Sequence, residues 1–339
     1  MGLMKKAANF TVVKITGLAD TPAKEIITAL EGAKIKEIKG TGDAEAFGFC
    51  KIDDPFERGT SVSDGMLGFG LRHDKKKVSK TLFKRLYKEE LRKQKGGLIG
   101  FGKKKKMTKE EKQFVKDEVL SKLYAEASPL EKLNEVILNY KEGVAFIGTT
   151  TPQVVDGFSA CIRKLFPDVE ISVWQPEVID NETKGTKENY QNALMTWILH
   201  KSVSEPKRQW VPQSAKFFDG VSTITVKSEH EFPTEAWLSS YKDRVVDALS
   251  FSITKDDKQI DISLSRGSWS LKQVKCKPDV VHEDADSALF ERYHLFNGVV
   301  SEISEIVTEF GKIRGTDDEE SFWQEVHTSS MERIKQEVK

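Results

Sequence analysis

The sequence predicts an α+β protein: two α+β domains of antiparallel sheets with packed helices, plus a projecting helical-hairpin arm. Three observations carry this expectation. Short runs rich in β-branched and aromatic residues alternate with single amphipathic helices in two separate stretches. A lysine-rich segment of helical periodicity interrupts the first stretch. The length, 339 residues, exceeds that of one small domain. With 38% hydrophobic, 31% charged and 9% aromatic residues, the chain can bury a core and is not a disordered composition. No apolar run reaches the roughly 18–20 residues that cross a bilayer. Lys5 and Lys6 are not followed by the apolar stretch of a secretory signal. The expectation is a cytoplasmic protein with no membrane partner.

Taken in order, Asn9–Thr16 reads as a strand. Thr21 and Pro22 read as a helix start, since a hydroxyl caps and a proline loses nothing at the first helical position. Ile26, Ile27 and Leu30 give that helix its apolar face and Gly32 ends it. Strands follow at Ala46–Ile52 and Met66–Arg72, with a turn-rich loop between them. From Asp74 the character changes. Val78, Leu82, Phe83, Leu86, Tyr87 and Leu91 mark one amphipathic helix, with Lys80, Lys84, Arg85, Lys88, Arg92 and Lys93 around the rest of it. Lys95–Lys106 is a glycine- and lysine-rich break. Thr108 with Glu111 makes a capping box for a second helix, striped by Phe114, Val115, Val119, Leu120, Leu123 and Tyr124. The two stripes should face each other and the lysines face outward.

Glu135–Tyr140 and Val144–Gly148 flank Lys141-Glu142-Gly143 as a hairpin. Leu130–Leu133 reads equally as strand or as a helix start. Thr151-Pro152 opens a helix with Val155, Phe158, Ile162 and Leu165 inward, and Val169–Trp174 is a strand. Glu177–Trp210 looks like a polar connection with a short helix near Asn192–His200. Strands follow at Val221–Val226, Ala248–Thr254, Gln259–Ser265 and Leu271–Lys275, the last two alternating as a half-exposed antiparallel sheet does. Leu289, Tyr293, Phe296, Val300, Ile303, Val307 and Phe310 space as a core helix ending at Gly311. The domain expectation is therefore a discontinuous central α+β domain (1–74 and 128–176), a basic helical arm (75–127), a second α+β domain (177–315) and an acidic tail (316–339).

The 53 Lys+Arg and 53 Asp+Glu balance to a net charge of +0, but not locally. Between Lys75 and Lys116 stand 17 basic and 4 acidic residues; from Val281 to Lys339 there are 6 basic and 14 acidic. Charge separated this far makes an oriented field, and the basic block points to nucleic acid. The contacting residues expected there are Lys75, Lys76, Lys77, Lys80, Lys84, Arg85, Lys88, Arg92 and Lys93, with Lys103, Lys104, Lys105 and Lys106 at the tip. Lysines without a base-reading motif favour phosphate contacts, which position a protein without specifying sequence.

Other chemistry finds little support in the sequence. Cys50, Cys161 and Cys276 are odd in number and far apart, as reduced thiols are. The six histidines show no zinc-like spacing, so neither metal nor cofactor is expected. Gly97–Lys103 imitates a phosphate-binding loop, but Lys104 stands where the magnesium-binding hydroxyl belongs and no hydrophobic strand precedes it. Asp53-Asp54, Asp256-Asp257 and Asp317-Asp318 each sit at a predicted turn, where Asp is common for local reasons. No catalytic residue can be placed, and a non-enzymatic protein is expected.

Lys109-Glu110-Glu111-Lys112-Gln113-Phe114-Val115-Lys116-Asp117-Glu118-Val119-Leu120 resembles the arm helix of the recombination-associated RdgC family. The similarity continues through Val136–Ile147 and Pro152–Phe166. It is weaker at Val226–Phe232, Ala248–Pro278 and Phe290–Gly311, and so spans most of the chain in order. The resemblance implies a DNA-binding protein without catalytic activity. It also implies a homodimer closing into a ring around duplex DNA, with single strands as a second form bound, and restraint of the RecA recombinase through competition for DNA. That implies a nucleoid-associated location. It adds Lys109, Lys112, Lys116 and Lys227 to the DNA contacts. Ile99 and Phe101, at the arm tip where family subunits meet, become candidate dimer contacts. The tip, the Glu177–Trp210 connection and the acidic tail are larger here than the family pattern. The rival expectations are an RNA- or ribosome-associated protein using the same hairpin, a metal-dependent nuclease acting on recombination intermediates, and a module whose arm docks on an acidic partner.

Overall fold

The structure is a computed structural model and describes Leu3 and residues 7–38, 44–50, 62–63, 65–97, 107–176, 187–204, 210–227, 245–255, 258–275, 285–313, 320–321 and 324. Its elements run β1 (Ala7–Thr16), α1 (Ala23–Gly32), β2 (Glu45–Cys50), β3 (Val62–Ser63), β4 (Met66–Lys76), α2 (Lys80–Gly97), α3 (Lys109–Glu126), β5 (Pro129–Asn139) and β6 (Val144–Ile147). There follow α4 (Pro152–Leu165), β7 (Glu170–Val173), α5 (Lys187–Ser204), β8 (Trp210–Phe218), β9 (Thr223–Lys227), β10 (Val245–Lys255), β11 (Lys258–Ser265), β12 (Ser268–Lys275) and α6 (Ala285–Ile313). The class is α+β, with antiparallel ladders throughout the named strands.

Strand order is β2-β4-β5-β6-β1-β12-β11-β10-β8-β9, with β3 on β4 and β7 on β1. β1 joins the two halves. Its first residues pair with β12 (Ala7 with Lys275), and its later ones pair with β6 (Thr11 with Ile147) and β7 (Val13 with Val173). Successive side chains of a strand point to opposite faces, so β1 serves two cores at once. Phe10 and Val12 enter one apolar cluster and Val13 and Ile15 the other.

The smaller of these two clusters lies between the β1–β6–β5–β4–β2 face and helices α1 and α4. Ile26 and Leu30 come from α1; Val154, Val155, Phe158 and Ile162 come from α4. At Gly157 an added Cβ would stand 2.7 Å from the Phe47 ring, so only glycine lets β2 and α4 approach this closely. The larger cluster spans both halves. Met66, Ile137 and Phe146 point from the first sheet toward α6, as Leu249, Phe251, Ile262 and Leu271 do from the second. Phe296 of α6 lies 4.5 Å from the Phe10 ring and 5.6 Å from the Phe146 ring, between centroids. Each such fully buried side chain contributes roughly 1.5–3 kcal/mol. Burial on both faces explains why Val136–Leu138 of β5 and Val144–Ile147 of β6 read as continuous apolar runs instead of alternating.

Several elements differ from the sequence expectation. Thr21 makes no cap: α1 begins after Pro22, whose carbonyl accepts from Glu25 and Ile26 N–H. β4 continues to Lys76, paired with Pro129, so Lys75 and Lys76 belong to a strand and not to the arm. Leu130–Leu133 is strand. The short helix expected near Asn192–His200 is present but longer, as α5, and it is no polar connection: its Tyr190, Leu194, Met195, Trp197, Ile198 and Leu199 are core. β8 was not expected; its alternation is broken by a register shift near Gln213. β9 starts at Thr223, because Asp219 and Gly220 (φ +95°) form the turn that holds Val221 out in solvent. α6 passes Gly311 and ends at Ile313.

Candidate nucleic-acid interface

α2 and α3 pack on each other around a third apolar cluster, separate from the other two. Met107, Val115, Val119 and Leu123 form it, with Val78, Leu82, Phe83, Leu86, Tyr87 and Leu91 packed against them. The Phe83 and Tyr87 rings stack inside the hairpin at 5.7 Å. The Tyr87 hydroxyl donates to the Lys112 carbonyl at 3.4 Å. The capping box is present: Thr108 Oγ1 accepts from Glu111 N–H at 3.1 Å, and Glu111 Oε2 accepts from Thr108 N–H at 2.8 Å. Phe114, expected in the apolar stripe of α3, is instead 67% exposed. It stands at the stripe's edge, where a 3.6-residue repeat does not decide between inward and outward.

The outward positions of α2 come in adjacent pairs: Lys80 and Thr81, Lys84 and Arg85, Lys88 and Glu89, Arg92 and Lys93. Six of these eight are basic. Only Lys93 pairs with a described carboxylate, that of Glu90 at 3.3 Å. Lys80, Lys84, Arg85, Lys88 and Arg92 meet no carboxylate among the described residues. A surface helix selected for its own stability looks different. Lys80, Lys84, Lys88 and Arg92 are like charges four apart, each neighbouring pair costing a few tenths of a kcal/mol. Lys80 also sits in the first turn, where the helix dipole disfavours a cation and no acidic residue offsets it. α3 follows the stability rules instead. Glu110 and Glu111 occupy its first turn, and Lys122 bonds Glu118 at 2.7 Å, which raises the lysine's pKa. Lys109, Lys112 and Lys116 are exposed on α3, but five acidic side chains stand on the same helix. The positive face is therefore that of α2.

At the root of the hairpin, cations act on the protein itself. Lys76 is 7% exposed, and its Nζ donates to the Tyr124 carbonyl at 2.7 Å. That carbonyl is in the last turn of α3, where a helix leaves acceptors without intrahelical donors. Lys75 reaches Glu45 at 3.4 Å, and His73 Nε2 also contacts Glu45. The His73 contact, with Lys75 adding to it, holds the Glu45 carboxyl below its ordinary range. Arg72 grips the buried Asp74 with two bonds, at 2.8 and 2.7 Å, and Glu131 at 2.8 Å. Asp74 raises the pKa of that guanidinium. Lys77 is exposed and free of described carboxylates. Lys227 is exposed on β9, far along the sheet order from the hairpin.

Ile99, Phe101, Lys103, Lys104, Lys105 and Lys106 lie outside the described residues. So do Cys276, most of the imitation phosphate loop, the three carboxylate pairs and most of the acidic tail. Neither Cys50 nor Cys161 is in a disulfide, and burial pushes the Cys161 thiol up. Among the described residues no three His, Cys, Asp or Glu gather as metal ligands, and no helix is long and apolar enough to cross a membrane. Neither protein-family models nor curated proteins match this chain.

Proposed function

We propose that this chain is a non-enzymatic, sequence-tolerant DNA-binding protein whose main contact is the outer face of α2. The observation that carries the reading is the set of six cations among eight outward positions, five of them unpaired with any described carboxylate. Their arrangement costs the helix stability, which a polyanionic partner offsets. Lysine-rich faces of this kind bind phosphates and read no sequence. The Phe83 and Tyr87 rings stack on each other toward α3, and the exposed ring of the hairpin, Phe114, belongs to α3 and not to the α2 face.

The resemblance to the RdgC family supports a wider version of the same reading. In it the protein is a ring-forming homodimer around duplex DNA, nucleoid-associated, competing with RecA for its substrate. Lys76 and Lys75 leave the contact set in this version, because their charge is used within the protein.

The test is a fluorescence-anisotropy titration of a short DNA duplex against salt. The intact chain is compared with a triple variant, Lys84→Glu, Arg85→Glu, Lys88→Glu. A steep fall of affinity with salt is expected for the intact chain. For 6–10 phosphates it amounts to about 10³–10⁵ between low and moderate salt. The triple variant should lose about three units of slope. An unchanged slope removes α2 as the interface, and preference for structured RNA in competition at fixed salt favours the RNA reading instead.

A further inference from the structure

The outward face of the second sheet carries a feature that the arm does not account for. Ladder register sets five residues side by side across five strands: Lys227 on β9, Ser214 on β8, Ser250 on β10, Ser263 on β11 and Lys272 on β12. Four strand spacings separate the two lysines, about 19 Å. The residues flanking the serines along their strands, Ala215, Leu249, Phe251, Ile262 and Leu264, are buried, so the serines themselves face away from the core. The result is a shallow floor of hydroxyls with an ammonium at each end.

The surrounding charge has the same sign. Lys216, Arg266 and Lys275 stand near the row with Lys227 and Lys272; the described carboxylates on these strands and their turns are Asp219, Asp247 and Asp261. Asp247 is held by Lys216 at 2.9 Å and Arg266 at 3.6 Å. Asp261 is held by Lys275 at 3.2 Å and by Ser252 Oγ at 2.8 Å. Asp219 accepts from the Val221 and Ser222 N–H groups at 2.9 and 2.6 Å, so all three acids are engaged by their neighbours. Lys227 meets no carboxylate among the described residues, and Lys272 bonds only the Ser265 hydroxyl, at 3.3 Å. Ser250 and Ser263 share one hydrogen bond at 2.6 Å, which leaves the second hydroxyl hydrogen of the pair to donate outward.

We propose that this face is a second seat for a nucleic-acid backbone, running from Lys272 across the three serines to Lys227. It rests on the polyanion-binding reading given above and adds a contact surface distinct from α2. Small side chains let the backbone lie close to the sheet. Hydroxyls donate to phosphate oxygens, and the lysines close on it from both ends. No arginine fork or amide stands in the row to read a base edge bidentately, so the partner chemistry is the phosphodiester and not the sequence.

The test uses the full chain, a short DNA duplex and an RNA duplex of the same sequence, each titrated against salt. The sheet variants are Lys227→Glu with Lys272→Glu, and Lys227→Glu alone. The single change, at an exposed position, guards against a double variant that folds poorly. About two units of slope should be lost by the double variant and about one by the single, with both duplexes. If the sheet variants keep the intact slope while the α2 triple variant loses its own, the second seat is overturned and the arm reading stands. A loss with one type of duplex only also overturns it as a phosphodiester seat. If the intact chain binds neither duplex in a salt-dependent way, the polyanion reading itself fails, and this inference with it.

Discussion

Glu45 shows how a single exposed carboxylate can tie strands at the root of the arm. It meets His73 and Lys75 across the β2–β4 ladder, and these contacts depress its pKa. A carboxyl whose folded value is depressed contributes stability above its unfolded pKa, near 4.5. The contribution is lost as pH falls through the lower folded value. Melting temperatures of the wild type and Glu45→Gln should therefore differ near neutrality and converge in acid below that range. Curves that stay parallel through acid pH would mean that the Glu45 charge does not stabilise the strands. Some residue-scale features were legible in the sequence and some were not. Thr108 and Glu111 form a local pair, three apart, and the capping box follows from spacing alone. Lys76 reads as one more outward cation, because its partner is a main-chain carbonyl forty-eight positions on. Phe114 reads as core, because periodicity does not fix how wide a stripe is.

Among the elements, α2 and α3 divide the labour of the hairpin: one carries the positive face and the other anchors to the sheet through Lys76. Replacing Lys76 with Met leaves the Tyr124 carbonyl bare while keeping the side chain's bulk. Hydrogen exchange in the last turn of α3 should then quicken by about tenfold, the equivalent of one lost charged hydrogen bond. DNA affinity should fall with the salt slope unchanged, since no phosphate contact is removed; a slope lower by about one unit would make Lys76 a phosphate ligand after all. The arm helices were legible because each packs one stripe against one neighbour. α5 was legible only as a short helix near Asn192–His200; its full length and core position were not, because it is buried on several sides, where Tyr190, Gln191, Leu194, Met195, Trp197 and Leu199 leave no polar face to set a period. β8 was hidden by Pro212, Gln213 and the register shift beside them, which break the two-residue alternation.

For the molecule as a whole, α6 makes one core of what reads in sequence as two halves. Tyr293 donates to Glu142 in the β5–β6 turn, and Phe296 packs on Phe10 and Phe146. Phe296→Ala should cost about 3–5 kcal/mol. Urea transitions followed by probes in the first and second sheets should remain coincident in this variant. Two separated transitions would show that the halves hold together independently. Local pattern could not reveal this sharing, because Ala7 finds its partner at Lys275 and Phe10 at Leu271. The α+β class was nevertheless readable, since each strand and helix carries its own period whatever it packs against.

The double duty of β1 also governs the order of assembly during synthesis. The strand leaves the ribosome before all its partners: β6 and β7 emerge later, and β12 and α6 later still. Until then the nascent chain holds Ala7–Phe10 as an open edge beside an uncovered phenylalanine surface, the kind of site at which incomplete chains pair with one another. Chains interrupted before β12 are thus the natural clients of chaperones and proteases, although most of their first sheet could already be complete.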